Sequence, residues 1–145
     1  MSFVELVGTI IHNCGVLEFF TNNIIRALST ESEYARIIWL QFARRIRELR
    51  RLLRTKGLLT DDLISLLQEM RAIADDRNLV AHNPIASDGT SSYILLVQRT
   101  STFPPDIDRL DSSWLQAMAE RSLRARDTFL HLLPGARQFE PSSAT

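Results

Sequence analysis

The segment between Thr60 and Pro84 limits the possible folds most strongly, because its last turns break the helical pattern that its first turns establish. The apolar residues of this segment recur with the spacing of one helix face: Leu63, Leu66, Leu67, Met70, Ile73 and Ala74. The same face continues at positions 77 and 78, which hold an arginine and an asparagine. An arginine on a core-facing line must be paired with an acid, hydrated in a cleft, or placed there for a function such as binding a ligand.

Both ends of this helix can be predicted from local signals. Thr60 is followed by two aspartates, a combination that caps a helix and places negative charge at its positive end. Pro84 disfavours helical geometry at the residue before it, so the helix should end near His82. The sequence therefore predicts one helix over residues 61–82.

Three polar side chains should meet at the end of this helix. Asn78 and His82 are four residues apart and therefore lie on one helix face. The long stem of Arg77 allows its guanidinium to reach the same place. A guanidinium, an amide and a titratable imidazole at one helix end make a suitable phosphate site, so these three are the candidate catalytic residues.

The run of Arg77, Asn78, three further residues and His82 resembles the signature motif of the HEPN superfamily, whose small all-helical domains occur in many prokaryotic ribonucleases and toxins. The order of predicted elements over about residues 3–133 resembles that domain as well. A second pair with the same spacing, Arg126 and His131, lies on the last predicted helix. Because His131 projects away from the apolar line of that helix, we predict that it is a surface histidine.

The remaining periodicity predicts an all-α domain. Helices are expected over residues 3–28 and, after a capping box that begins at Thr30, without a break from 31 to about 56. Asp111, Ser112 or Ser113 should cap a last helix that continues through Leu133. Four helices with short connections indicate an antiparallel four-helix bundle.

A short β-hairpin is predicted between the third and last helices. Its strands are Ile85–Ser87 and Tyr93–Val97, and its turn is at Asp88-Gly89. Since the hairpin follows the candidate site directly, it is either a flap over that site or a plain connector. The single domain is predicted to span residues 1–135, and residues 136–145 are predicted to form a flexible tail.

The formal net charge of the chain is zero, but the charge is unevenly distributed. From Arg44 to Lys56 there are seven basic residues and one acidic residue, Glu48. On the polar face of the second predicted helix, this run supplies the predicted RNA-binding residues: Arg44, Arg45, Arg47, Arg50, Arg51 and Arg54. A solvated face that only maintains solubility is the alternative interpretation of the same run.

Composition narrows the chemistry that the chain can perform. The single cysteine, Cys14, cannot form an internal disulfide, which predicts a cytoplasmic protein. Histidines and glycines are too scattered for a zinc site or a phosphate-binding loop, so we expect no metal and no cofactor. Polar residues interrupt the apolar run of the first helix, so we predict neither a signal peptide nor a membrane span.

The resemblance implies a metal-independent endoribonuclease that cleaves single-stranded RNA in a composite site, formed by two motif copies across the two-fold axis of a homodimer. His82 would transfer the proton, Arg77 would stabilise the pentavalent phosphate, and Asn78 would orient either group. The products would carry a 2′,3′-cyclic phosphate and a 5′-hydroxyl.

The same resemblance implies a toxin or an anti-phage defence component, with an antitoxin or another regulatory protein as partner. Some toxins of the superfamily carry a tyrosine two residues after the histidine, and the antitoxin modifies that tyrosine. Pro84 occupies this position here, so we do not expect this mode of control.

Two other functions compete with this prediction. One is a non-catalytic HEPN-like module that binds RNA, a nucleotide or a partner protein. The other is a structural interaction domain, in which Arg77 pairs with Glu18 or Asp76 to fix how the helices pack.

Overall fold

The computed structural model of the protein describes residues 1–97 and 107–137. This part of the chain is mostly helical and contains one small antiparallel sheet. The elements in chain order are α1 (Phe3–Leu28), α2 (Glu31–Ile37), α3 (Phe42–Thr55), α4 (Asp61–His82), β1 (Ile85–Ser87), β2 (Ser92–Val97), β3 (Ile107–Leu110), α5 (Ser112–Leu132) and a closing 3-10 helix (Pro134–Arg137).

Helix α1 is the helix against which the others pack, and its predicted bounds are confirmed. It contacts α3, α4, α5 and the 3-10 helix, and its buried residues extend from Leu6 to Ile25. Among the described residues, α1 is the one helix with the length and hydropathy to cross a membrane. In the folded chain this helix contacts these four neighbouring elements, and 33% of its most apolar 18-residue window is buried.

The prediction of one unbroken helix over residues 31–56 is wrong. Helix α2 ends at Ile37 and α3 begins at Phe42. In an unbroken helix the carbonyl of Leu40 would accept from the backbone N–H of residue 44. In the structure this carbonyl instead accepts a hydrogen bond from Nε of Arg45, at 2.9 Å. A side chain therefore satisfies the backbone where the helix is interrupted, and α2 and α3 can pack at different angles.

The third predicted helix is confirmed with both of its ends. The hydroxyl of Thr60 accepts from the backbone N–H of Leu63 at 3.2 Å, which caps α4. Helix α4 ends at His82, and Asn83 has extended backbone geometry before Pro84. The motif therefore lies in the last two turns of a helix that is packed against α1, α3 and α5.

The predicted hairpin is confirmed, but the sheet is larger than predicted. Strands β1 and β2 pair in antiparallel fashion, with Ala86 opposite Tyr93. Gly89, at the turn, has a φ of 91°, a conformation that favours glycine. Strand β3 pairs with the other edge of β2 and makes the sheet three-stranded. A four-residue strand carries too little periodicity to be recognised before its pairing partner is known.

The end of the chain is folded beyond the predicted domain boundary. Asp111 caps α5 by accepting from the backbone N–H of Trp114, which selects one of the three predicted cap positions. After α5, Ala136 is buried in the 3-10 helix, and its carbonyl accepts from the Asn23 amide at 2.7 Å. The rest of the predicted tail, residues 138–145, lies outside the described residues.

Candidate functional site

The three motif residues lie on the wall of one cavity of about 400 Å³ at the end of α4. The remaining walls come from α1, from Ala74 on α4, and from the residue before α3 together with its first turn. The lining residues contributed by α1 and this last segment are Cys14, Glu18, Gln41, Phe42, Ala43 and Arg45. The structure thus brings the predicted site residues together and adds a wall that depends on the unpredicted break before α3.

Arg77 is half-buried, and its guanidinium is only loosely bound by the chain. Its Nη1 donates to Oδ1 of Asn78 at 3.3 Å, and its Nη2 lies 3.9 Å from Oε1 of Glu18. Its Nε is buried and has no hydrogen-bond partner among the residues that the structure describes. A guanidinium with such weak internal contacts on a cavity wall retains donors for an anionic ligand.

Asn78 and His82 are both exposed at the mouth of this cavity. Asn78 touches Arg77 through the hydrogen bond described above. His82 forms no hydrogen bond or ion pair within residues 1–97 and 107–137 that would fix its ring. A ligand or a second protein chain must therefore orient this imidazole if it acts in proton transfer.

Arg45, one of the six predicted RNA-binding arginines, turns into the cavity wall and binds within the chain. Its Nη2 lies 2.9 Å from Oε2 of Glu18, and its Nη1 donates to Oδ1 of Asn22 at 2.7 Å. With the bond from Nε to Leu40, each of its three nitrogens has a partner. The side chain is 11% exposed, so Arg45 joins α1 to α3 and is poorly placed to follow an RNA backbone.

Glu18 is the one carboxylate in the cavity lining, and it lies between two arginines. Its short contact is with Arg45, whereas Arg77 is a full ångström further away. The other carboxylate that we considered as a partner of Arg77, Asp76, binds Arg121 at 2.9 Å instead. Of the two pairings considered for Arg77, the one with Glu18 is present as a long ion pair at 3.9 Å, and the one with Asp76 is not formed.

The competing motif on α5 does not converge. Arg126 donates to Oδ1 of the buried Asn13 at 3.1 Å and so contacts α1. His131 is exposed and lines a different cavity, between α4 and α5, whose lining does not include Arg126. These two residues share the sequence spacing of the first motif, but they do not share a site.

The other five predicted RNA-binding arginines differ in their surroundings. Arg51 is paired with Glu48 at 2.8 Å and with Glu33 at 3.2 Å, so its charge is largely compensated. The remaining four make no ion pair within the described part of the chain. Three of them are exposed, namely Arg44, Arg47 and Arg54, and Arg50 is half-buried. The run is therefore not a uniform basic face.

Replacing Arg45 by alanine should lower the free energy of unfolding by about 3 kcal/mol, because it leaves Glu18 without its close partner and removes three hydrogen bonds. Urea unfolding followed by circular dichroism measures this loss. Arg44→Ala is the matched control, since Arg44 is exposed and should matter by less than about 0.5 kcal/mol. Equal unfolding midpoints for the two variants would contradict the assigned role of Arg45.

The buried thiol of Cys14 should be unreactive in the native protein. Burial raises the pKa of this thiol to about 11, and nearby Arg77 only partly opposes the shift. At pH 8 the thiolate fraction should be ~100-fold lower than in the unfolded chain, and labelling by a disulfide reagent correspondingly slower. As the pH rises above the unfolded thiol's pKa, the unfolded chain loses this proton first, so native stability should fall. Equally fast labelling of native and urea-unfolded protein would contradict this expectation.

Within residues 1–97 and 107–137, no three His, Cys, Asp or Glu side chains are grouped closely enough to hold a metal ion. The chemistry that the cavity residues can perform is proton transfer by an imidazole and charge stabilisation by a guanidinium. Comparison of the chain with protein-family models, curated proteins and solved structures finds no match.

Proposed function

We propose that this chain is a metal-independent endoribonuclease of the HEPN type that cleaves single-stranded RNA. The observation that carries the proposal is the state of Arg77, which is half-buried on a cavity wall beside Asn78 and His82 and whose Nη atoms make only one long hydrogen bond and one ion pair at 3.9 Å. A phosphodiester is an anion that such a forked donor fits.

RNA supplies its own nucleophile, so the protein needs only to stabilise charge and transfer protons. The 2′-oxygen attacks phosphorus, and the bond from phosphorus to the 5′-oxygen breaks. Arg77 binds the phosphoryl oxygens on which negative charge develops, and Asn78 holds Arg77 or the phosphate in place. His82 transfers a proton between the reacting oxygens and the solvent. The products carry a 2′,3′-cyclic phosphate and a 5′-hydroxyl.

A homodimer would place a second His82 at the same phosphate, so that one imidazole accepts a proton while the other donates one. One side of α1 offers a surface for this dimer. Val4 is 69% exposed and Phe19 is 39% exposed, and between them Gly8 and Gly15 face open space. All four lie on one helical face, where the glycines allow a second helix to approach closely.

The arrangement of the helices also supports this proposal. The four longer helices, α1, α3, α4 and α5, pack around one core, and the sheet lies between α4 and α5 in chain order. We interpret them as the antiparallel four-helix bundle of a HEPN domain. Helix α2 and the third strand are additions to that plan.

A binding module without catalysis is the second candidate function. The observation that favours it is the exposed His82, whose ring no described residue orients. A module of this kind would bind RNA or a nucleotide through Arg77 and release it unchanged. It would show phosphate-dependent binding without product formation.

The test is incubation of the purified protein with mixed-sequence single-stranded RNA in excess EDTA, followed by analysis of the RNA ends. The proposal predicts cleavage without metal and products that carry 2′,3′-cyclic phosphates. Binding without cleavage on a broad panel of RNAs would favour the second function. Cleavage that needs a metal ion, or that leaves 5′-phosphates, would contradict the proposed mechanism.

The proposed biological role is that of a cytoplasmic toxin or an anti-phage defence component. An antitoxin or another regulatory protein would be the partner that restrains it. Induced expression of the wild-type chain should then arrest growth, and expression of His82→Ala to the same level should not. Equal growth in both strains would contradict a toxin role. The proposed RNA cleavage would still be tested by the RNA assay.

A further inference from the structure

A second cavity adjoins the candidate site along the groove between α3 and α4. Its volume is about 290 Å³. Ala43 lines both cavities, so the two are neighbours. Its lining contains three arginines and no carboxylate: Arg47 and Arg50 from α3 and Arg71 from α4.

The three arginines of this second cavity have little of their charge compensated. Arg50 is half-buried and makes no ion pair within the described residues, and its buried Nε has no hydrogen-bond partner there. Arg47 is exposed and makes no ion pair with any residue that the structure describes. Arg71 lies 3.6 Å from Asp75, one helical turn away, but both side chains are about half exposed, so the pair is weak. Together they make a concave surface with excess positive charge.

We infer that this second cavity is a subsite for a neighbouring phosphate of the RNA strand, bound by Arg47, Arg50 and Arg71. The inference rests on the proposed function, because it places the reacting phosphate at Arg77. Arg71 and Arg77 are six positions apart on α4, which corresponds to about 9 Å along the helix axis. That distance is short enough for one strand to occupy both sites.

The three arginines of the groove suit the phosphate oxygens of a nucleic acid strand. Arginine forks bind phosphate oxygens in a planar, two-pronged geometry. Ile46 and Leu67 form the floor of the groove between the arginines and are nearly fully buried, so the accessible groups of the groove are mainly the arginine side chains. Arg47 and Arg50 of the arginine run line this subsite. Arg51 does not line it, and its charge is compensated by Glu33 and Glu48. Arg71 lies outside the arginine run and was not a predicted RNA-binding residue.

The experiment measures the affinity of fluorescent single-stranded RNAs by anisotropy, in a His82→Ala background that prevents turnover. Added to this background, Arg71→Ala should weaken binding of a 10-nucleotide RNA by about 10-fold. It should also reduce the slope of log affinity against log salt by about 0.7, as expected for one lost phosphate contact. A dinucleotide with a single phosphate cannot reach the subsite, so its affinity should not change.

The matched control is Arg124→Ala in the same background, because Arg124 is exposed on α5 and its loss changes the net charge equally. The inference is overturned if both substitutions weaken the longer RNA alike, if Arg71→Ala has no effect, or if no RNA binds. It is also overturned if the dinucleotide loses affinity as much as the longer RNA does.

The two proposals can fail separately. His82-dependent cleavage that does not respond to Arg71→Ala would overturn the subsite and leave the proposed reaction standing. Length-dependent binding that requires Arg71, in a wild-type protein that cleaves no RNA, would support the subsite and contradict the nuclease.

Discussion

Replacing His82 by alanine should lower the rate of RNA cleavage by about 10²- to 10⁴-fold, the usual contribution of a general acid or base. The fold should be unaffected, because His82 is exposed and makes no hydrogen bond with the described residues. We therefore expect a change of less than about 0.5 kcal/mol in the free energy of unfolding. Single-turnover cleavage and urea unfolding of the same preparation measure the two effects.

His131→Ala is the matched control for this substitution. His131 follows Arg126 with the same spacing and is also exposed, but the two residues do not share a cavity. Its replacement should leave the cleavage rate unchanged. If His131→Ala abolishes cleavage and His82→Ala does not, the α5 motif is the active one and the site assigned on α4 is wrong.

Replacing Arg77 by alanine should lower the turnover rate by about 10²- to 10³-fold, as expected for the loss of a donor to developing negative charge. Arg77→Lys should recover only part of this activity, because lysine keeps the charge and loses the planar fork. The dependence of rate on RNA concentration separates the two effects of the guanidinium. A lower kcat indicates transition-state stabilisation, whereas a higher KM alone indicates binding.

The stability of the Arg77 variant distinguishes catalysis from a structural role. Its contacts of 3.3 and 3.9 Å are long, so its removal should cost much less than removal of Arg45. Arg124→Ala controls for the loss of one positive charge at an exposed position. An Arg77→Ala protein with full kcat would contradict the catalytic role, and one as unstable as Arg45→Ala would show that Arg77 serves the fold.

The parts of the fold that the sequence predicted well are those with strong local signals. Helix α4 has a long apolar stripe, a threonine cap at Thr60 and a proline just after its end, and its bounds agree with the prediction. The hairpin has its glycine at the one position in the turn where φ is positive. Each of these signals acts within a few residues, so no tertiary information was needed.

The parts that were missed depend on contacts between distant residues. The break between α2 and α3 does not interrupt the apolar pattern, and it is stabilised by Arg45 bonding back to Leu40. The same arginine forms an ion pair with Glu18 on α1. The periodicity of a single helix cannot reveal such a contact between two helices. Consequently the arginine run was predicted as one polar face, whereas the structure divides it between the cavity wall, the groove and the surface.

The identity of the nucleophile is the most direct test of the proposed mechanism. The measurement is single-turnover cleavage, in excess EDTA, of an RNA that carries one 2′-deoxynucleotide at a mapped cleavage position. If the 2′-hydroxyl attacks at the Arg77 and His82 site, cleavage at the substituted linkage should disappear while neighbouring linkages are still cut. Continued cleavage at the deoxy position would show that water is the nucleophile and would contradict the mechanism assigned to this cavity.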